Sequence, residues 1–173
     1  IDLWAEILRR VPNARLILKY KVLGDESVRR WFLDQFAAAG VDPHRLELLP
    51  ASQYVEYLAS YERIDVALDP FPFSGGATTC DALWMGVPSV VRQGASYSSR
   101  FGGSALVNLG LEDLIASSDE EYVQIVTRLA GDLPKLAELR RGLRARMADS
   151  PLVDAKAFTR QVEHAYRKMW QQW

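Results

Sequence analysis

Cysteine is almost missing from this sequence: Cys80 stands alone among 173 residues, so no disulfide can close within the chain. That fits a reducing, cytoplasmic setting. Histidine is nearly as scarce, and neither His44 nor His164 has a partner at metal-ligand spacing, so no metal is expected. No apolar run approaches the roughly 20 residues of a membrane helix, and Ile1 opens no signal-peptide pattern. No membrane contact is expected. A formal net charge of -1 leaves no basic face for a nucleic-acid backbone, so nucleic acid is not an expected partner. Internal repeats, low-complexity tracts and long linkers are lacking too.

What is present is a chain 49% hydrophobic and 25% charged, enough for one compact α/β domain or one lobe of a larger protein. Its opening, "IDLWAEILRR", is helical from the start and has no initial Met, which predicts a piece of something longer. Leu3, Trp4, Ile7 and Leu8 recur at helical spacing, and Pro12-Asn13 closes that helix. "RLILKY" (Arg15 to Tyr20), "LELLP" (Leu46 to Pro50), "IDVALD" (Ile64 to Asp69) and "PSVVR" (Pro88 to Arg92) read as strands. Between them lie helices over Glu26 to Ala39, Gln53 to Tyr61 with Ser52 as its cap, and Thr78 to Met85. One-for-one alternation predicts a Rossmann-like parallel sheet flanked by helices. The last third reads as a helical tail: Asp119 to Asp132, Leu133 to Ser150 and Asp154 to Trp173, the first opened by a Ser118–Glu121 capping box.

The stretch "LDPFPFSGGATTCDALWMGVPSV" (Leu68 to Val90) is the most informative. Ligands of open parallel sheets sit beyond the carboxyl ends of the strands. Gly75 and Gly76 lack a Cβ, so the backbone there can turn sharply and approach a ligand. The helix that follows leaves its first amides unpaired and partly positive, and Thr78 and Thr79 add hydroxyls. Together these make a cradle for a diphosphate, with Asp81 one turn further in to accept from a ribose hydroxyl. The same residues also make an ordinary turn with an N-cap threonine. Arg100 in "YSSRFGG" lies on the next loop at the same edge, where it faces the diphosphate or acceptor, or else pairs with a surface carboxylate. The five tryptophans are expected to pack, Cys80 to be a small packing residue, and the arginines of "RRGLRAR" (Arg140 to Arg146) to form a solvated helix face.

These residues resemble the O-GlcNAc transferase family, which includes the SPINDLY-type O-fucosyltransferases. "ALDPFPFSGGATTCDALWMGVPSVV" is similar to its nucleotide-sugar loop. "LWAEILRRVPNARLIL" is similar to the helix and strand opening its C-terminal lobe. "GASYSSRFGGSALVNLGLEDLIA" (Gly94 to Ala116) and "SPLVDAKAFTRQVEHAYRKMW" (Ser150 to Trp170) resemble its Ser-Arg loop and closing helix. The resemblance implies residues 1–173 as the donor-binding C-terminal lobe of a GT-B enzyme. The N-terminal lobe and tetratricopeptide repeats would lie outside this chain. It implies a metal-independent transferase with no cofactor, a UDP-GlcNAc-like nucleotide sugar as donor, and Ser or Thr hydroxyls of proteins as acceptors.

By the same resemblance, Gly75, Gly76, Ala77 and Thr78 contact phosphate and Asp81 the ribose. Ser52 lies where backbone groups read the base, and Tyr57 where a residue stacks on it. There are departures. Gly76 and Tyr57 stand where animal members carry histidines, and Tyr54 where they carry a basic residue. Ser74 replaces a usual Asn and Ala77 a usual Thr, and a family lysine that neutralises the diphosphate would precede Ile1. GDP-fucose-dependent O-fucosyl transfer and a non-catalytic nucleotide-binding scaffold are the alternatives.

Overall fold

The computed structural model describes residues 1–173. Helix α1 (Asp2–Arg10) buries Ile7 and Leu8 of the expected stripe, together with Ala5, and leaves Leu3 and Trp4 half-buried. Strand β1 (Leu16–Lys19) follows, then α2 (Glu26–Ala38), whose start is capped by Asp25 accepting from the amides of Ser27 and Val28. Gly40, at φ 79°, ends it in the left-handed conformation that glycine tolerates. Strand β2 (Leu46–Leu49) pairs in parallel with β1, Leu16 opposite Leu46. Helix α3 (Tyr54–Ala59) leads to β3 (Ala67–Leu68), α4 (Ala77–Trp84), β4 (Ser89–Arg92), α5 (Phe101–Asn108) and β5 (Ile115–Ala116). The chain closes with α6 (Asp119–Gly131), α7 (Leu133–Ala148) and α8 (Ala155–Gln172).

The expected parallel α/β architecture is present, with the sheet hydrogen-bonded in two pieces: β1–β2 and β3–β4–β5, all parallel. Each piece has its own core. One gathers Val90, Val91, Leu106, Tyr122 and Leu143 from β4, α5, α6 and α7; the other gathers Ala5, Leu16, Phe36 and Leu46. Trp4 and Leu68 pack against both.

Several expectations need correction. The third strand is not Ile64 to Asp69 but two residues, because only Ala67 and Leu68 find partners, at Ser89 and Val90. Ser52 does not cap α3. It lies two residues before the first helical residue, so its hydroxyl turns instead to the carbonyl of Gln53 at 3.4 Å, and Gln53 stands at the cap. The capping box is displaced by one: Ser118 Oγ accepts from the Glu121 amide, but Glu121 reaches the amide of Ser117. Trp31, Trp170 and Trp173 are exposed rather than packed. The arginines of α7 are not merely solvated. Arg140 donates to Ile64 O and Asp65, the Arg144 guanidinium lies 4.9 Å from the ring centre of Trp84, and Arg146 reaches Leu109 O.

Candidate functional site at the carboxyl edge of β3 and β4

The loops after β3 and β4 meet at one edge of the sheet. Asp69 follows β3 directly and is buried, and its carboxylate collects three donors. Ser74 Oγ donates to Oδ2 at 2.6 Å, while the Gly75 amide and Thr79 Oγ1 donate to Oδ1 at 2.8 and 3.1 Å. Burial pushes the Asp69 carboxyl above its ordinary pKa, against the pull of those donors. Ser74 Oγ in turn accepts from the Gly102 amide of α5 at 2.9 Å, and its own amide donates to Ser98 O at 3.0 Å. The two loops are thereby one hydrogen-bonded unit.

This unit decides what each glycine is for. A Cβ on Gly75 would stand 2.6 Å from Thr79 Oγ1 and 2.8 Å from Asp69 Oδ1, and one on Gly102 would stand 2.9 Å from Ser74 Oγ. Both positions exclude a side chain, Gly75 because Asp69 and the hydroxyls of Thr78 and Thr79 crowd it, and Gly102 because Val91 and Ser74 do. A Cβ on Gly76 would meet nothing within 4 Å. Packing within the chain does not demand that glycine, so what its missing side chain leaves open is the approach from outside.

Gly76 caps α4, and its carbonyl accepts from the Cys80 amide. The amides of Gly76, Ala77, Thr78 and Thr79 meet no acceptor in the chain. Gly76, Ala77 and Thr78 are exposed at the sheet edge, with Thr79 buried behind them, and the positive end of the helix dipole lies at this end of α4. Thr79 departs from expectation. Its hydroxyl points inward onto Asp69 and the Gly75 carbonyl, because the third residue of the helix faces the loop interior. Thr78 is exposed, and its Oγ1 lies beside Gly75, 2.8 Å from where a Cβ would stand.

On one flank stands a tyrosine cluster from α3 and the turn after it. Tyr57 donates to Asp81 Oδ2 at 3.2 Å and shares a 2.7 Å hydrogen bond with the Tyr61 hydroxyl. Tyr54 donates to Asp81 Oδ1 at 3.4 Å, and Tyr61 reaches Thr78 O at 3.2 Å. Burial, the Tyr61 hydroxyl and the Asp81 carboxylate all push the Tyr57 phenol up, so it stays neutral and donates. Tyr57 is thus anchored and half-buried, and Tyr54, 63% exposed, offers the more open ring. Asp81 sits one turn inside α4 as expected, and its acceptors are already engaged by phenols.

On the other flank, the exposed Phe73 and Tyr97 meet the half-buried Phe101 in an aromatic shelf, with ring centres 6.3 Å apart for Phe73–Phe101 and 4.9 Å for Tyr97–Phe101. Arg100 precedes α5 and is exposed; its Nε donates to Gly94 O at 3.1 Å, and it pairs with no carboxylate. A pocket of about 100 Å³ opens beside it between Phe71, Arg92 and Ser99. Ser52 lies exposed before α3, away from any bond to this cluster. No three His, Cys, Asp or Glu side chains converge anywhere in the chain.

Sequence reasoning missed Asp69 and Ser74. The available signal was an acid ending a strand followed five residues later by a serine before the glycines, the spacing at which a short loop can fold back onto the acid.

The profile of glycosyl transferase family 41 matches residues 1–162. The chain belongs to that family. It is 42% identical over its full length to a rice protein named as a probable UDP-N-acetylglucosamine–peptide N-acetylglucosaminyltransferase SPINDLY. It is 31% identical, again over its full length, to the UDP-N-acetylglucosamine–peptide N-acetylglucosaminyltransferase of Caenorhabditis elegans. A solved structure of a mutant O-GlcNAc transferase from Thermobaculum terrenum superposes with a TM-score of 0.94 and 42% identity, covering 99% of this chain and 33% of that one. The chain spans 19% of the rice relative and 15% of the nematode one. This family-41 chain therefore shares its architecture with a GT-B enzyme.

Proposed function

We propose that this chain is the donor-binding lobe of a metal-independent glycosyltransferase. It acts in the cytoplasm, in a protein whose other lobe and repeats lie outside these residues. The donor is a nucleotide sugar of the UDP-GlcNAc type, and the acceptor is a Ser or Thr hydroxyl of a protein. The observation that carries this is the run of unpaired amides from Gly76 to Thr79 at the start of α4, the first three on exposed residues.

Transfer breaks the bond between the anomeric carbon and the distal phosphate oxygen, and forms one from that carbon to the acceptor oxygen. The hydroxyl proton passes to solvent, and the nucleotide diphosphate departs with the bonding electrons. Negative charge therefore grows on the phosphate as the bond breaks. Amides already fixed in place stabilise that charge without reorganising, and the helix dipole adds to them. Thr78 Oγ1 adds a donor, and Arg100 lies on the neighbouring loop with no carboxylate partner. Tyr54, Tyr57 and Asp81 would meet the nucleoside on the opposite flank, Asp81 exchanging a phenol for a ribose hydroxyl.

The test is titration of the full-length protein with UDP-GlcNAc, GDP-fucose, UDP and GDP by calorimetry, with EDTA present, followed by a donor-hydrolysis assay. Tight binding of UDP and UDP-GlcNAc with slow hydrolysis supports the reading. Preference for the guanine ligands moves the donor to GDP-fucose, and binding without turnover moves the protein to a scaffold.

A further inference from the structure

We infer that Asp69, acting through Ser74 and Gly75, is the positioning residue of the donor site. This inference rests on the donor-binding reading above. A loop with many donors can spend them in two directions, inward on the protein or outward on a ligand. Asp69 divides them. Its two oxygens take the Gly75 amide and the Ser74 and Thr79 hydroxyls, all inward. The next four amides are left without partners, and three of them, on Gly76, Ala77 and Thr78, belong to exposed residues. Buried groups of this kind are held in one geometry because any other arrangement leaves a buried donor or acceptor unmade.

Ser74 extends the control to the second loop. Its hydroxyl both donates to Asp69 Oδ2 and accepts the Gly102 amide, and its amide holds Ser98 O. Arg100 lies between Ser98 and Gly102 on that tied segment, so the register of the guanidinium relative to the α4 amides is set by the same pair. The backbone of Asp69 is fixed as well, since its carbonyl accepts from the hydroxyl of the fully buried Tyr122 at 3.2 Å. Anchoring therefore runs from α6 through the end of β3 to both loops. Asp69 touches no ligand in this arrangement.

The experiment compares Ser74→Ala and Asp69→Asn with the wild type in the full-length protein. Ser74→Ala keeps the backbone and most of the volume but cuts the tie to α5. Asp69→Asn replaces an acceptor by a donor. Affinity is measured for UDP by calorimetry and for uridine by ligand-observed NMR, alongside melting temperature. Uridine lacks the diphosphate, so it reports the nucleoside flank alone. The expected result is UDP binding weakened about fivefold or more in each folded variant, with uridine affinity unchanged. A lower melting temperature with UDP affinity unchanged overturns the inference, because the pair would then be only structural. Equal losses for UDP and uridine overturn it too. Wild-type protein that binds neither UDP nor GDP removes the donor-binding reading itself, a failure distinguishable because it shows before any substitution.

Discussion

At the residue scale, two adjacent threonines have opposite tasks. Thr79 is buried and gives its hydroxyl to Asp69 and Gly75, whereas the Thr78 side chain is exposed at the ligand edge. Thr79→Val should therefore destabilise the fold by about 1–3 kcal/mol, the cost of leaving buried acceptors unmet. Thr78→Val should stay within about 0.5 kcal/mol of wild type yet weaken UDP binding. Urea denaturation and calorimetry on the two variants separate these effects, and the reverse pattern would contradict the assignment. The pairing "TT" announced a helix start and nothing more. Which hydroxyl turns inward depends on Asp69, ten residues before Thr79 and invisible to any local pattern. Gly75 and Gly76 looked equivalent for the same reason, although only Gly75 is packed against side-chain oxygens.

Cys80 gives a second residue-scale prediction. A helix start can lower a thiol pKa, but here burial raises it and the neighbouring Asp81 charge raises it further. Raising the pKa lowers the thiolate fraction at any pH below it, so the nucleophilic form is scarce at neutral pH. Alkylation by iodoacetamide at pH 8 should run slower than for free cysteine and speed up in urea. A native rate above that of free cysteine would contradict the burial argument.

At the element scale, periodicity located most helices to within two residues because their apolar stripes face a core. It did not find β5, whose two residues pair only with Val91 and Arg92, nor the break between β1–β2 and β3–β4–β5. Pairing is a long-range property, so strands this short leave no local trace. Helix ends hide similar debts. Arg45, half-buried after α2, donates to the carbonyls of Leu8, Val11 and Ala14, closing the C-terminal end of α1 from a distant part of the chain. Pro12-Asn13 ends that helix in the sequence, but Arg45 satisfies the carbonyls the ending exposes. Arg45→Met keeps much of the stem and removes the donors. It should cost about 1.5–3 kcal/mol, the range for hydrogen bonds to a charged group, and Arg45→Lys should recover only part of it. Denaturation midpoints for both variants check this, and a neutral Arg45→Met would show that water caps α1 instead.

At the scale of the whole molecule, the proposed donor edge is assembled from three helices. The amides, Thr78, Arg100 and both aromatic flanks belong to α3, α4 and α5 and the loops around them. Helix α8 was legible from its pattern as a helix, yet it buries none of its residues, so amphipathicity alone did not say that it would stand clear of its own domain. Transfer needs more than a held diphosphate. The acceptor hydroxyl must be brought to the anomeric carbon and lose its proton, and positioning of that kind accounts for a large part of many enzymatic rate accelerations. Stabilising the leaving group lowers one part of the barrier and leaves the approach of the acceptor to diffusion. The isolated 173-residue chain should accordingly fold, with a cooperative thermal transition, and bind UDP more weakly than the full-length protein. It should transfer no sugar to a protein acceptor under conditions in which the full-length protein does. Mass spectrometry of an acceptor incubated with donor and each protein reads the difference directly. Transfer by the isolated chain would mean that the acceptor is positioned by residues on this edge, and the aromatic shelf of Phe73, Tyr97 and Phe101 would then be the first place to substitute.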